Sequence, residues 1–186
     1  MSVRTVTALI TVFFLQQALS NASIEARDES NGDVLDAFQV FANCPEAVLL
    51  YDNDETGSHL CLTTARQNFD ENGPTATYVW QMKGLNGHAK KNITFHLKPG
   101  QTPDEAVFWL DADEGKEQVA RLVYADYKSC GIFLVPLNGM IECMLWVTEE
   151  VKDNVPQYCI DQYDRNCDTK ILEYSKDICS QVDSGV

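Results

Sequence analysis

The chain has 186 residues, 28 acidic against 14 basic side chains and a formal net charge of −14. This balance excludes binding to nucleic acid through its phosphates, which takes clustered Lys and Arg, and it disfavours anionic lipid surfaces. The charge serves solubility and would also suit a cationic ligand such as an amine.

Arg4 followed by the apolar run Thr5 to Leu15 reads as a secretory signal, with small residues Ala18 and Ser20 placing cleavage after Ser20. The run is shorter than the roughly 20 apolar residues that cross a bilayer, so no membrane insertion is expected. Residues 21–186 then suit a single domain. Asn92-Ile93-Thr94 is a glycosylation sequon, and Asn21-Ala22-Ser23 is a second one at the expected mature terminus.

Apolar residues at 34, 37, 38 and 41 have helical spacing, and Cys44-Pro45 ends that short helix. Eight strand-length segments follow: 47–51, 60–65, 75–83, 92–98, 106–111, 119–127, 130–136 and 141–148. Turn signals such as Asn72-Gly73-Pro74, Asn86-Gly87, Pro99-Gly100 and Asn138-Gly139 separate them. Short strands at this spacing predict a sandwich or a closed antiparallel barrel. After Cys159, apolar residues at 160, 163, 171, 172, 174 and 178 predict one C-terminal helical segment.

The seven cysteines are Cys44, Cys61, Cys130, Cys143, Cys159, Cys167 and Cys179. Secretion makes most of them disulfide partners, and the odd number leaves one over. There is no Cys-x-x-Cys pair and the histidines are scattered, so no metal site is expected. Asp52-Asn53-Asp54-Glu55-Thr56-Gly57 matches half of a calcium loop, but Thr63 stands where the closing Glu belongs. It and Asp111-Ala112-Asp113-Glu114-Gly115 read as acidic hairpin turns. His96 reads as a surface or rim residue. No nucleophile elbow, zinc-protease motif or phosphate loop is present, so neither enzymatic activity nor a cofactor is expected. Aromatic residues on the strands, Trp80, Phe95, Phe108, Trp109, Phe133 and Trp146, are candidates for the core of such a barrel or the lining of its pocket.

The order signal peptide, short helix, eight strands and C-terminal helix resembles the lipocalins. Asp36-Ala37-Phe38-Gln39, Cys130 before a strand ending Val135-Pro136, Leu145-Trp146, and Asn154-Val155-Pro156 before Cys159 resemble the tick salivary group that includes the histamine-binding proteins. The run from Leu85 to Leu97 and Cys143-Met144-Leu145-Trp146 look most like its Japanin branch. That branch is associated with sterol carriage and with suppressed dendritic-cell maturation. The resemblance implies a mainly β, eight-stranded antiparallel lipocalin barrel with disulfides Cys130–Cys159 and Cys61–Cys179. A third bridge is expected among Cys44, Cys143 and Cys167, with Cys143–Cys167 the pairing put forward.

Amine-binding members of the group carry an Asp after the first hairpin cysteine and a Glu two residues before the terminal Trp. Here these positions are Gly131 and Met144, and only Trp146 remains. Glu142 is expected on the same face, but too far along the strand to substitute. An ammonium buried without its partner costs several kcal/mol, so the expectation is a roomier, apolar pocket for a sterol or other lipid. The expected lining is Trp80, Phe95, Phe108, Phe133, Met144 and Trp146. Arg121 would meet a carboxylate or hydroxyl of the ligand if its face of the strand points inward. The expected partners are thus a hydrophobic small molecule and a host immune-cell receptor, for a monomer secreted in saliva. The alternatives are an amine scavenger using other carboxylates and a protein-binding immunomodulator acting through its outer surface.

Overall fold

The computed structural model of the protein describes residues 34–113 and 115–183. The expected signal peptide and the Asn21 sequon lie outside the described residues. Helix α1, Ala37–Asn43, starts where Asp36 accepts hydrogen bonds from the backbone N–H groups of Phe38 and Gln39 at 2.8 and 3.1 Å. It ends at Cys44, before Pro45.

Eight strands follow: β1 Glu46–Asp52, β2 Thr63–Asp70, β3 Thr75–Met82, β4 Lys91–Pro99, β5 Glu105–Leu110, β6 Gln118–Ala125, β7 Cys130–Leu137 and β8 Met140–Thr148. Each pairs antiparallel with the next, and β1 pairs with both β8 and β2, which closes the barrel. Closure removes the exposed strand edges that an open sheet would present.

Two boundaries differ from the sequence expectation. The second strand begins at Thr63 and runs through the polar residues Arg66, Gln67 and Asn68. Residues 60–62 are turned instead. Cys61 has φ 61°, its N–H bonds to Glu173 O at 2.7 Å, and Leu62 N–H bonds back to His59 O at 2.8 Å. The C-terminal segment is not one helix. Helix α2, Gln157–Asn166, is followed by a two-residue strand β9, Ile171–Leu172, and by helix α3, Lys176–Asp183. The pair Ile171-Leu172 extends β1 through Asp52 and Tyr51, which draws the chain out of helical form.

The buried side chains form two clusters. Inside the barrel lie Leu49, Leu62, Tyr78, Trp80, Phe95, Phe108, Leu122, Phe133, Val135 and Met144, covered at one end by Leu35, Ala37 and Val40 of the α1 region. Outside it, Val48, Ile132, Leu145 and Val147 pack under α2 and its fully buried Tyr163. Disulfides Cys130–Cys159 and Cys143–Cys167 fasten the α2 segment to β7 and β8, and Cys61–Cys179 fastens α3 beside β2. Cys44 is the cysteine left over.

Candidate functional site

The interior divides into two spaces. At the end covered by α1, a chamber of about 90 Å³ is lined by Val40, Phe41, Cys44, Ala47, Thr64, Tyr78, Trp80, Phe95, Leu97, Phe108, Ala120, Phe133, Val135 and Trp146. Its wall is almost wholly apolar because these strands point alternate residues inward. The few polar groups are largely occupied: the Tyr78 hydroxyl donates to the carbonyls of Phe41 and Cys44 at 3.1 and 2.7 Å. Stacked rings define the shape. Trp80 lies 4.3 Å from Phe95 and 5.2 Å from Trp146, Phe95 lies 5.6 Å from Phe108, and Phe41 stacks on Phe133 at 5.6 Å. Burial, together with the nearby Asp126 charge, pushes the Cys44 thiol pKa up, so this thiol is a weak nucleophile.

At the opposite end, the loops after β1, β3 and β5 and the β7–β8 turn surround a mouth cavity of about 680 Å³. Trp80 and Phe95 line both spaces and form the partition. A drug-sized ligand needs on the order of 300 Å³ or more, so the mouth can hold the body of a ligand and the inner chamber an apolar end.

Beside the mouth lies a buried polar cluster. The β-bulge between Leu49 and Tyr51 reverses the alternation of β1 and turns Asp52 inward. His59 Nδ1 is 2.7 Å from Asp52 Oδ2, 3.6 Å from Glu142 Oε2 and 3.8 Å from Asp54 Oδ2. The Asn53 amide ties this turn to β8 by accepting from Cys143 N–H at 2.9 Å and donating to Ile141 O at 3.2 Å. Glu173, which follows β9, packs against Asp52. Glu142 Oε2 and both Glu173 oxygens have no hydrogen-bond donor among the described residues.

Asp52–Gly57 opens the turn after β1, as expected, but Asp52 and Asp54 within it are buried. The histidines are not all scattered either, since His59 joins four carboxylates. Glu142 shares the inward face of Met144 and Trp146, as expected from alternation, and stands at the mouth.

Trp80, Phe95, Phe108, Phe133 and Trp146 come together on the chamber wall. Met144 is fully buried inside the barrel but behind that wall. Gly131 faces inward, and a Cβ placed there would make ordinary contact with Tyr124 O at 3.6 Å and with Leu122 and Phe133 at 3.8 Å; the glycine does not line the chamber. Arg121 points outward, because its neighbours Ala120 and Leu122 face the core. Its guanidinium bonds to Glu105 at 2.8 Å and lies 3.6 Å from Asp104. It faces away from the barrel interior, contrary to the inward orientation a ligand contact would need. His96 faces outward and pairs with Asp111 at 2.7 Å. Asn92 is exposed and lines the mouth, where a glycan would sit at the rim.

Burial and the neighbouring negative charges push Glu142 up to about 7 and Glu173 up to about 8. Burial opposes the charge on His59, but the hydrogen bond to Asp52 and the Glu142 charge prevail and raise its pKa. Asp54 is also desolvated, yet its bonds from Thr56 and Ser58 hold it below the usual value. The folded state thus holds protons on Glu142 and Glu173 that the unfolded chain releases above its ordinary value of 4.5. Their contribution falls as pH rises from there through about 7 to 8, and that of His59 falls above 6.5. Asp54 and Asp126 act oppositely, losing their contribution as pH drops below 3.8. In chelator-containing buffer the thermal midpoint is expected to peak near about pH 5 and to fall toward about pH 8.5. Scanning fluorimetry across that range checks this. Glu142→Gln should flatten the alkaline side, and an equal slope in that variant would contradict the assignment.

The family model described as tick histamine binding protein matches residues 25–181. No curated protein sequence matches the chain. Among solved structures, AM182 in its serotonin complex has 17% identity and a TM-score of 0.55, over 75% of this chain and 90% of that one. Japanin from Rhipicephalus appendiculatus bound to cholesterol has 13% identity and a TM-score of 0.52, over 71% and 94%. Insecticyanin from the tobacco hornworm Manduca sexta has 12% identity and a TM-score of 0.53, over 78% and 85%. At these identities the structural likenesses show the lipocalin fold. The sequence match covers most of the chain, and it shows that the chain belongs to the tick histamine-binding protein family.

Proposed function

We propose that this protein is a secreted salivary lipocalin that sequesters a hydrophobic small molecule, a sterol or another lipid, and thereby dampens host immune responses, dendritic-cell maturation among them. The observation that carries the reading is the almost wholly apolar inner chamber, which shares Trp80 and Phe95 with a mouth whose lining mixes Met82, Ile93 and Leu110 with polar residues such as Thr56, Lys91 and Asp111. The inner chamber of about 90 Å³ is too small for a whole sterol. It is smaller than the engineered cavity of about 150 Å³ that admits benzene. The ligand body therefore sits in the mouth, and its apolar end displaces side chains such as Phe41 or Trp146 further in. Burial of apolar area, at about 25 cal/mol per Å², supplies the affinity. The mechanism is capture without chemistry. The three disulfides and the Asn92 sequon suit an extracellular life for the chain.

The test is titration with a fluorescent sterol and a fluorescent fatty acid, beside serotonin and histamine, for the native protein and Ala120→Phe. Ala120 lines the inner chamber, so the added ring should weaken lipid binding by about tenfold, a loss of about 1.4 kcal/mol. Dendritic-cell suppression should weaken with it. Suppression that survives in Ala120→Phe after lipid binding is lost would move the activity to the outer surface. Tight amine binding with no lipid uptake would contradict the lipid reading.

A further inference from the structure

Four carboxylates and one imidazole are buried together at the mouth, and nothing in a lipid-sequestering role uses them. We propose that Asp52, His59 and Glu142, with Glu173 beside them, bind one divalent transition-metal ion such as zinc or manganese. This inference stands apart from the lipid reading.

Three observations carry it. The first is donor geometry. One atom each from Asp52, His59 and Glu142 lie within 4.8 Å of one another, and His59 Nδ1 stands 2.7 Å from the Asp52 oxygen and 3.6 Å from that of Glu142. Ligands bound at roughly 2.0–2.2 Å around one ion stand roughly 3–3.6 Å apart, so small side-chain shifts complete a shell. The second is lack of satisfaction. Glu142 is 2% exposed and Glu173 1% exposed, and three of their four carboxylate oxygens have no donor among the described residues. A buried carboxylate without a donor is costly; an ion held by Asp52, His59 and Glu142 gives Glu142 a partner and brings a positive charge close to Glu173, which lies against Asp52. The third is access. His59 lines the mouth cavity as well as facing the carboxylates, so an ion entering the mouth meets the imidazole first.

The donor set indicates the class of metal. Imidazole with carboxylates suits zinc or manganese, whereas calcium takes an all-oxygen shell of about six to eight ligands. Asp54 adds a further negative charge 3.8 Å from His59 Nδ1, while its own oxygens accept from Thr56 and Ser58. It supports the site electrostatically.

The experiment uses the untagged secreted protein, stripped with a chelator and exchanged into metal-free buffer. Zinc chloride and manganese chloride are titrated by calorimetry, and the metal content of the freshly purified protein is measured in parallel. The expected result is one ion per chain with a micromolar or tighter dissociation constant. His59→Ala and Glu142→Gln should each weaken it by about tenfold or more, as even outer-shell changes do. Glu142→Gln keeps the shape and removes an unsatisfied charge, so the variant should fold and, without metal, melt no lower than the native chain. Binding unchanged in both variants would place the ion on exposed acidic residues and overturn the proposal. So would no binding. Histamine or serotonin binding that Glu142→Gln abolishes, with no metal bound, would also overturn it and make the cluster an ammonium subsite.

Discussion

Replacing Cys61 and Cys179 together by serine is expected to lower stability by about 4–5 kcal/mol, the largest effect of any single disulfide. The bridge joins residues 118 apart, against 29 for Cys130–Cys159 and 24 for Cys143–Cys167. In the chain-entropy account the shorter loops contribute about 3–4 kcal/mol each. Urea denaturation of the three double variants measures the order directly, and equal losses would contradict it. The consequence reaches the mouth. Cys61 N–H bonds to Glu173 O, and Glu173 N–H bonds to Leu50 O at 2.9 Å, so β9 and its carboxylate are held by the segment the bridge closes. Releasing α3 should let water reach Glu173. The serine variant is then expected to show a shallower alkaline decline in its melting temperature, besides melting lower throughout.

Phe108→Ala is the second large effect. Phe108 is 1% exposed, packs against Phe95 and lines the inner chamber. Removing its ring should cost about 3–5 kcal/mol, because the lost apolar transfer adds to a cavity that the closed barrel cannot collapse. The same cavity enlarges the space available to a ligand. The variant is therefore expected to be less stable alone but to gain more from a saturating lipid than the native protein does, by mass action on the folded state. Thermal melts with and without lipid measure both parts. A smaller lipid-induced shift in Phe108→Ala would show that the ligand does not reach the inner chamber.

Much of the barrel was legible from sequence because Asn-Gly and Pro-Gly turns punctuate strands that alternate cleanly. The hairpin of β7 and β8 shows this best. Phe133, Val135, Met144 and Trp146 face inward as alternation requires, and Ile132, Leu145 and Val147 face out under α2. Arg121 was misplaced because both faces of β6 carry apolar residues: Val123 packs in the outer cluster, while Ala120 and Leu122 fill the inner one. Alternation alone could not choose between them. The strand beyond Arg66 gives no alternation signal because Phe69 is its one apolar residue, although it pairs with β3 along its length.

The carboxylate cluster was hidden for a different reason. Asp52 should face outward by strict alternation with Val48 and Leu50, and one bulge reverses it. His59 arrives from an irregular loop, and Glu173 from a segment that looked helical. Only Glu142 carries a signal in the sequence, its even spacing from Met144 and Trp146, and the partners that give it meaning come from distant segments.

The most direct test of the central claim is native mass spectrometry of the protein expressed through a secretory pathway and treated with glycosidase, with its organic extract identified in parallel. Capture of a hydrophobic molecule between the mouth and the inner chamber predicts a co-purified sterol or fatty acid at one per chain, absent or reduced in Ala120→Phe. An empty barrel that takes up histamine or serotonin, and no lipid, would contradict it.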